Sequence, residues 1–125
     1  MNIKQFGKED LEEINTWYRE RNLTPVPFEQ LPQFGYIVPG VACGFLVQTD
    51  SSNAFLEGFA TNPSAKSYHK VDAIDLIAKE LIQVAKELGY KHVFAMTVHP
   101  TVMAACRDNE FVSLGKYTTF YREVK

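Results

Sequence analysis

The sequence predicts an α+β domain in which helices pack on a mixed, mostly antiparallel sheet. Residues 35–61 contain three strand-like segments separated by turn residues, which is typical of an antiparallel meander. Residues 54–98 then give a strand, a loop, a long amphipathic helix and a second strand. A crossover helix of this size joins parallel strands, so the sheet combines both kinds of pairing. Strands and helices in this mixture pack as layers.

The N-terminal region predicts a strand, a helix and a loop. Residues 2–6 alternate as a short strand, and residues 7–21 follow as a helix. The apolar face of this helix is formed by Leu11, Ile14, Trp17 and Tyr18. Residues 22–34 contain three prolines, which exclude a continuous helix and leave room for one turn at residues 28–31. Long ordered loops are often functional, with a plain connection over the core as the alternative.

The meander consists of predicted strands at residues 35–38, 41–48 and 54–61. The dipeptide Pro39-Gly40 forms the first connection, and the polar residues 49–53 form the second. Both connections are short and rich in turn formers, so neighbouring strands are expected to pair antiparallel.

The longest predicted element is a helix at residues 70–88. Its apolar residues recur at the i, i+3, i+4, i+7 spacing of one helix face: Val71, Ile74, Ile77, Ala78, Leu81, Ile82, Ala85 and Leu88. Asp72 near the start suits the helix dipole, and Gly89 suits the C-terminal end. Residues 92–98 follow as an apolar strand. Because a helix N-terminus facing the end of a strand binds anions, the loop after Thr61 is the predicted functional region.

The C-terminal end of the chain predicts a short helix and two further strands. Pro100 suits the first turn of a helix that ends near Arg107. Residues 111–114 form a predicted strand, and residues 117–124 form the last one after a turn at Gly115-Lys116. The predicted order of the whole chain is β, α, β, β, β, α, β, α, β, β.

Length and charge limit the classes of protein to which this chain can belong. With 125 residues, 46% of them hydrophobic and 22% charged, the composition is that of one globular domain spanning residues 1–125. The net charge of -2 and the pI of about 5.9 argue against nucleic acid or an anionic membrane as a partner. No apolar run approaches the roughly 20 residues that span a bilayer, and residues 1–10 lack the apolar core of a signal peptide.

Cysteine and histidine usage predicts a cytoplasmic protein without a metal. Cys43 and Cys106 lie far apart and make no metal-ligand spacing, which fits a reduced, cytoplasmic setting. His69, His92 and His99 are isolated from other potential ligands, so no metal site is predicted.

The element order resembles the fold of the GCN5-related N-acetyltransferases (GNAT). The stretches that carry the resemblance are residues 55–63 (Phe-Leu-Glu-Gly-Phe-Ala-Thr-Asn-Pro), the helix and strand that follow, and residues 100–111, which look like the family's last helix and its Gly-Phe corner. The resemblance implies a sheet with helices on both faces. It also implies transfer of an acetyl group from acetyl-CoA to an amine by direct attack in a ternary complex.

In the family, the acyl group of acetyl-CoA lies where two parallel strands diverge. The resemblance places that position between the strand at residues 54–61 and the strand at residues 92–98. The backbone N–H groups that would bind the pantetheine and the oxyanion belong to Phe59, Ala60 and Thr61.

The loop before the long helix carries a Gln/Arg-x-x-Gly-x-Gly/Ala signature in the family, and its N–H groups cradle the pyrophosphate of coenzyme A. Residues 64–73 of this chain contain no glycine. The resemblance therefore assigns the pyrophosphate to side-chain donors: Lys66, His69 and Lys70. The alternative is that both lysines are solvated surface residues.

A glutamate on the strand before this loop takes the proton from the attacking amine in several enzymes of the family, and Glu57 is the residue here. With a period of two, Phe55, Glu57 and Phe59 share one face of the strand, and Leu56 and Ala60 lie on the other. A carboxylate between two aromatic rings is partly desolvated, which suits a general base. The alternative is a structural ion pair with Arg19, Arg21 or Arg122.

The last helix of the family often carries a tyrosine that protonates the departing thiolate. The resemblance puts Cys106 at that position, and puts His99 where an asparagine often occurs, as a cofactor-binding residue. The alternative for Cys106 is a small, half-buried core residue. A nucleophilic pair of these two residues is not expected, because seven helical residues separate them by about 10 Å.

Three segments are expected to border the acceptor site. The Pro-rich loop at residues 22–34 and the helix at residues 11–21 form two walls. The C-terminal aromatic residues Tyr117, Phe120 and Tyr121 either line the same site or pack on an edge strand.

A second class of function is a protein with this fold but without acetyl transfer, acting as a binding or regulatory module on a protein partner. The glycine-free loop and the absent tyrosine favour it. An exposed apolar patch around the prolines would support this alternative. A deep cleft with free backbone donors at residues 59–61 would support the enzyme.

Overall fold

The structure, a computed structural model, describes residues 1–125 and contains one five-stranded sheet with helices on both faces. The strands are β1 (Lys4–Gln5), β2 (Phe34–Val38), β3 (Ala42–Val47), β4 (Asn53–Thr61) and β5 (His92–Ala95). The helices are α1 (Leu11–Glu20), α2 (Ser67–Glu87) and α3 (Pro100–Asp108). Short 3-10 turns at Lys8–Asp10 and Phe28–Gln30 precede α1 and interrupt the Pro-rich loop. The second confirms the turn predicted at residues 28–31.

The strands lie in the order β1-β2-β3-β4-β5. Successive strands from β1 to β4 pair antiparallel, which confirms the predicted meander. After the crossover helix α2, residues 92–95 of β5 pair parallel to residues 53–56 of β4. The prediction of a mixed, mostly antiparallel sheet is therefore confirmed, because short turns allow one kind of pairing and a long crossover allows the other.

A hydrophobic core lies on each face of the sheet. On one face, α2 and α3 cover a core whose largest buried side chains are Leu46, Leu56, Ile74, Ile77 and Leu81. On the other face, α1 covers a smaller core formed by Ile14, Trp17, Ile37, Cys43, Phe45 and Ala60. Burial of these side chains is the main term that favours this packing. None of the three helices is both long and apolar enough to span a bilayer.

The ends of two elements differ from the prediction. β5 ends at Ala95 rather than at residue 98, since the chain turns there into α3. In that turn the hydroxyl of Thr97 accepts a hydrogen bond from the N–H of His99 at 3.0 Å. α2 begins at Ser67 rather than at residue 70, because its first turn is polar and lacks the apolar spacing on which the prediction rested.

The two strands predicted at residues 111–114 and 117–124 are wrong, because the chain has no strand after α3. Glu110 has a φ of +67°, and the N–H of Phe111 donates to the carbonyl of Cys106 at 2.9 Å, which ends the helix. Six large apolar side chains beyond this point are exposed: Val112, Leu114, Tyr117, Phe120, Tyr121 and Val124. The tendency to form a strand acts through pairing and burial, and these residues obtain neither from the sheet.

Candidate functional site

β4 and β5 diverge after their short parallel pairing. Only residues 53–56 of β4 pair with β5, so residues 57–61 have no strand on that side. The N–H of Asn62 donates to the carbonyl of Val41 at 2.8 Å, on the side of β3. Because alternate residues of a strand direct their backbone groups to opposite sides, the N–H and carbonyl of Thr61 face the open side. We call this opening, bordered by residues 57–61, the β4–β5 cleft.

Arg21 contacts the end of the β4–β5 cleft from α1. Its guanidinium donates to the carbonyl of Thr61, and also to the Thr61 hydroxyl at 2.9 Å. The two bonds attach the C-terminal end of α1 to the last residue of β4. They use the carbonyl of Thr61 and leave its N–H for another acceptor.

A β-bulge interrupts β4 in the middle of this segment. Two residues of β4, Gly58 and Phe59, face the single residue Gly44 of β3. The pairs on either side of the bulge are Phe45 with Glu57 and Cys43 with Ala60. Gly58 has a φ of +69°, a conformation that glycine adopts without the strain that a Cβ would cause.

The bulge corrects the predicted faces of β4. The prediction that Phe59 shares a face with Phe55 and Glu57 is wrong, because the extra residue breaks the period of two at Gly58. Phe59 instead packs against the core beneath α2, and Ala60 belongs to the core beneath α1. Glu57 thus keeps one of the two aromatic neighbours expected on its face of the strand.

Glu57 is exposed, and its carboxylate forms no ion pair with the predicted arginines. Arg19 pairs instead with Glu12 at 2.8 Å, and Arg21 binds Thr61. The expectation of a carboxylate desolvated between two rings is therefore wrong, and so is the alternative of a structural ion pair. What remains is an unpaired carboxylate beside the bulge.

Glu57 lines a pocket of about 550 Å³ on the α1 face of the sheet, which we call the α1-side pocket. The residues that line it come from α1 (Tyr18), the Pro-rich loop (Val26 and residues 30–33), β3 and its end (residues 45–48) and β4 (Glu57 and Gly58). The helix and the Pro-rich loop thus both line one pocket. That this pocket is the predicted acceptor site stays a prediction. The aromatic residues Tyr117, Phe120 and Tyr121 do not line it.

Asn15 holds the Pro-rich loop against α1. Its buried side chain donates to the carbonyl of Val26 at 3.0 Å and accepts from the N–H of Val26 at 2.8 Å. The amide therefore pairs with the loop backbone in the manner of a neighbouring strand. These two bonds position Val26 and the residues after it along the α1-side pocket.

Replacing Asn15 with alanine is expected to lower the free energy of unfolding by about 1–3 kcal/mol, because both polar groups of Val26 lose their buried partner. Urea unfolding measures this change, and limited proteolysis is expected to show faster cleavage within residues 22–34. Thr16→Ala is the control, since the hydroxyl of Thr16 bonds only the Glu12 carbonyl of its own helix. Equal effects of the two variants would contradict the role assigned to Asn15.

The predicted pyrophosphate donors lie at the N-terminus of α2. Lys66 is the N-cap residue and makes no side-chain capping bond. The N–H of Lys70 donates to the Lys66 carbonyl at 3.1 Å, whereas the three preceding N–H groups of the first turn have no acceptor within the helix. A helix start with such free donors attracts an anion. The structure thus places His69 and Lys70 inside the first helical turn rather than in a loop.

The side chains of this turn form their own contacts. The ammonium of Lys66 lies 5.8 Å from the ring centre of Tyr68, and the rings of Tyr68 and His69 contact edge to face at 4.2 Å. The ammonium of Lys70 donates to the carbonyl of Pro63 at 3.4 Å. Each of these contacts is weak and close to solvent, so the cationic groups remain available to an anion.

His99 and Cys106 have structural contacts in α3. His99 is the N-cap residue, and its Nδ1 accepts from the N–H of Thr101 at 3.2 Å. Cys106 is half-buried against the core beneath α2. This burial raises the pKa of the Cys106 thiol above its ordinary value, although the neighbouring Arg107 opposes the shift. The thiol is therefore protonated at neutral pH. The structure gives no contact between these residues and the α1-side pocket.

Three features of this region were not predicted from the sequence: the bulge at Gly58, the bonds of Asn15 and the bonds of Arg21. A glycine inside a strand pattern, as at Gly58, indicates a bulge. Asn15 lies one position after Ile14 on the apolar face of α1, where a polar side chain needs a buried partner. Arg21 was predicted only as a partner of Glu57.

No group of three or more His, Cys, Asp or Glu side chains lies close enough together to hold a metal ion.

The sequence matches no protein-family model and no curated protein sequence. Several solved structures, however, are similar over most of the chain. A probable acetyltransferase aligns with a TM-score of 0.72 at 12% identity, covering 100% of this chain and 99% of the other. An aminoglycoside 6′-N-acetyltransferase from Acinetobacter haemolyticus aligns with a TM-score of 0.64 at 15% identity, covering 100% of both chains.

A Mycobacterium tuberculosis protein solved in complex with CoA aligns with a TM-score of 0.67 at 19% identity, over 87% of this chain and 70% of the other. Identities this low establish the architecture and leave the chemistry of each protein open. The cleft between diverging strands, the bulge in β4 and the long helix that follows all lie within the aligned region. The chain therefore has the GNAT fold.

Proposed function

We propose that the protein transfers an acetyl group from acetyl-CoA to an amine by direct attack in a ternary complex. The observation that carries this proposal is the meeting of two openings at one segment of β4. The β4–β5 cleft borders residues 57–61, where β5 no longer pairs with β4, and the α1-side pocket is lined by Glu57 and Gly58. Two substrates, one in each opening, would meet at the bulge.

The acetyl-CoA half of the proposal rests on backbone donors. We assign the pantetheine and the acyl oxygen to the segment Phe59, Ala60 and Thr61, in which the N–H of Thr61 faces the cleft, whereas the N–H of Ala60 faces β3 and Ala60 would only border the ligand. A fixed N–H group stabilises the oxyanion of a tetrahedral intermediate without reorganisation. The pyrophosphate would lie at the start of α2, where the free N–H groups, Lys66 and Lys70 supply donors and positive charge.

Two assigned side chains have different roles around this anion. His69 contacts the ring of Tyr68 edge to face at the same helix end and is the third proposed donor. His99 is assigned as a weaker contact, since its Nδ1 is already occupied by the N–H of Thr101. The fold neighbour solved with CoA supports a ligand of this type in the fold.

The chemical step uses the unpaired carboxylate of Glu57. Glu57 takes a proton from the ammonium of the acceptor, directly or through one water, and the free nitrogen attacks the acyl carbon. The C–N bond forms, the tetrahedral intermediate loses one of the two protons on its nitrogen to water, and its collapse breaks the C–S bond to release the thiolate of coenzyme A. Cys106 is the assigned donor of a proton to that thiolate, on the position in α3 that the family resemblance gives it, although burial raises the pKa of its thiol and so weakens it as an acid. Water is the alternative donor.

Thermal unfolding with millimolar acetyl-CoA tests the proposal. A ligand that binds only the folded state raises the midpoint, and the gain is about 2.7 kcal/mol at 100 times its dissociation constant. Adenosine bisphosphate alone is expected to give a smaller shift, because it lacks the pantetheine. Lys70→Ala is expected to reduce both shifts, and Lys91→Ala, an exposed lysine beyond the far end of α2, is the control. Absence of any shift would overturn the transferase proposal.

Exposed apolar side chains favour a second candidate function, a binding module for a protein partner. Leu23 and Phe28 of the Pro-rich loop are exposed, as are the six apolar residues of the C-terminal segment. Exposed apolar groups that form a contiguous patch are typical of interaction surfaces, and these residues belong to two segments of the chain. A protein that binds no acetyl-CoA but self-associates or binds a partner through residues 111–125 would fit this candidate.

The two free cysteines are consistent with the cytoplasmic location proposed for either function.

A further inference from the structure

We propose that the acceptor is a small primary amine with a single positive charge on an apolar or aromatic body and without a carboxylate. This inference rests on the proposed function, since it assigns the α1-side pocket to the acceptor. It follows from the charge, the apolar surface and the volume of that pocket.

The charge of the pocket limits the charge of the acceptor. Glu57 is the one carboxylate among the lining residues, and no lysine, arginine or histidine lines the pocket. The guanidinium of the nearby Arg21 is already bonded to Thr61. An acceptor carboxylate in the pocket would lose water without gaining a cationic partner, which is unfavourable. A second or third ammonium of a polyamine would likewise find no carboxylate beyond Glu57.

The accessible apolar part of the pocket is partly aromatic. The half-buried side chains of Tyr18 and Leu31 line it. Phe45 also borders the pocket but is buried, and its ring contacts Phe6 edge to face with centroids 5.1 Å apart. Gly58 leaves room for this ring, because a Cβ there would lie 2.9 Å from it. A wall formed by the Tyr18 ring and aliphatic side chains suits an apolar or aromatic body, which it would remove from water.

The remaining polar side chains of the pocket are neutral amides. Gln30, Gln33 and Gln48 line it and are exposed at its rim. Amides donate and accept hydrogen bonds, so they satisfy a hydroxyl or ether group on the acceptor without selecting for charge. The volume of about 550 Å³ is that of a site for a small molecule.

Three probe amines distinguish a singly charged apolar amine from an amine that carries a carboxylate and from a polyamine. The full-length protein is assayed for release of coenzyme A thiol with 2-phenylethylamine, L-phenylalanine and spermidine. L-Phenylalanine is the matched control, since it differs from 2-phenylethylamine only by the carboxylate. We expect kcat/KM for 2-phenylethylamine to exceed that for either of the other two by at least tenfold. Equal or higher values for L-phenylalanine or spermidine, or acetyl-CoA binding with none of the three acetylated, would overturn the inference.

A direct binding measurement separates this inference from the proposed function. Calorimetry with 2-phenylethylamine in the absence of acetyl-CoA is expected to show binding to the wild type and at least tenfold weaker binding to Glu57→Gln. Binding of the amine by a protein that acetyl-CoA does not stabilise would overturn the transferase and retain the amine site. Absence of amine binding in a protein that acetyl-CoA does stabilise would overturn the amine site alone.

Discussion

Glu57→Gln is expected to lower kcat/KM for the acceptor amine by about 100-fold or more. Removal of a positioned general base typically costs two to four powers of ten in rate, and the amide cannot take the proton from the ammonium. The side chain keeps its size at an exposed position, so the stability of the fold should change by less than about 0.5 kcal/mol. Acetyl-CoA should raise the unfolding midpoint of the variant as much as that of the wild type. Steady-state kinetics and thermal unfolding measure the two effects.

Glu29→Gln is the matched control for this prediction. Glu29 is an exposed carboxylate of the Pro-rich loop, next to Gln30, and does not line the α1-side pocket. Its loss changes the net charge of the protein by the same amount without removing the proposed base. Kinetics of Glu57→Gln that match those of Glu29→Gln would remove Glu57 from the mechanism. A loss of acetyl-CoA binding in Glu57→Gln would instead place the residue in the cofactor site.

Gly58→Ala is expected to lower the free energy of unfolding by about 2–4 kcal/mol. The backbone part is about 1–2 kcal/mol, because a residue with a Cβ is strained at a φ of +69°. The packing part arises because the new Cβ would lie 2.9 Å from the ring of Phe45, which is buried and has little room to move. Activity should fall as well, since the bulge aligns Glu57 with the backbone donors after it. Urea unfolding measures the loss of stability.

Gly89→Ala separates the cost of backbone strain from the cost of the packing contact. Gly89 has a φ of +88°, and nothing lies within 4 Å of the position of an added Cβ. It therefore carries the backbone strain without the packing contact, and we expect a loss of about 1–2 kcal/mol. The double variant Gly58→Ala with Phe45→Leu should recover part of the difference if the ring contact is its cause. Equal losses for Gly58→Ala and Gly89→Ala would show that Phe45 adjusts at no cost.

The arrangement of the elements was predictable because its signals are local. The apolar spacing of α2 and the prolines of the loop depend on residues a few positions apart. The turn residues at Pro39-Gly40 and 49–53 restrict β2, β3 and β4 to an antiparallel meander. A crossover helix requires a parallel β5. These signals cover residues 1–108, over which the predicted order of elements is confirmed.

The C-terminal region and the face of Phe59 were not predictable by the same means. Residues 111–125 have a strand-like composition, but a strand forms only where pairing and burial are available. Phe59 changes face because one extra residue at Gly58 shifts the register against β3. Register depends on contacts between residues distant in sequence, and a shift of one residue exchanges the faces of every residue that follows.

The order of strands and helices up to α3 and the mixed pairing of the sheet follow from local patterns in the sequence. Helical period, turn composition and crossover length contain that information in short stretches of chain. The tertiary structure alone decided that Glu57 stands unpaired at the pocket, that Asn15 holds the loop and that Arg21 binds Thr61. These outcomes depend on which side chains meet after the bulge and the packing of α1 have set the geometry.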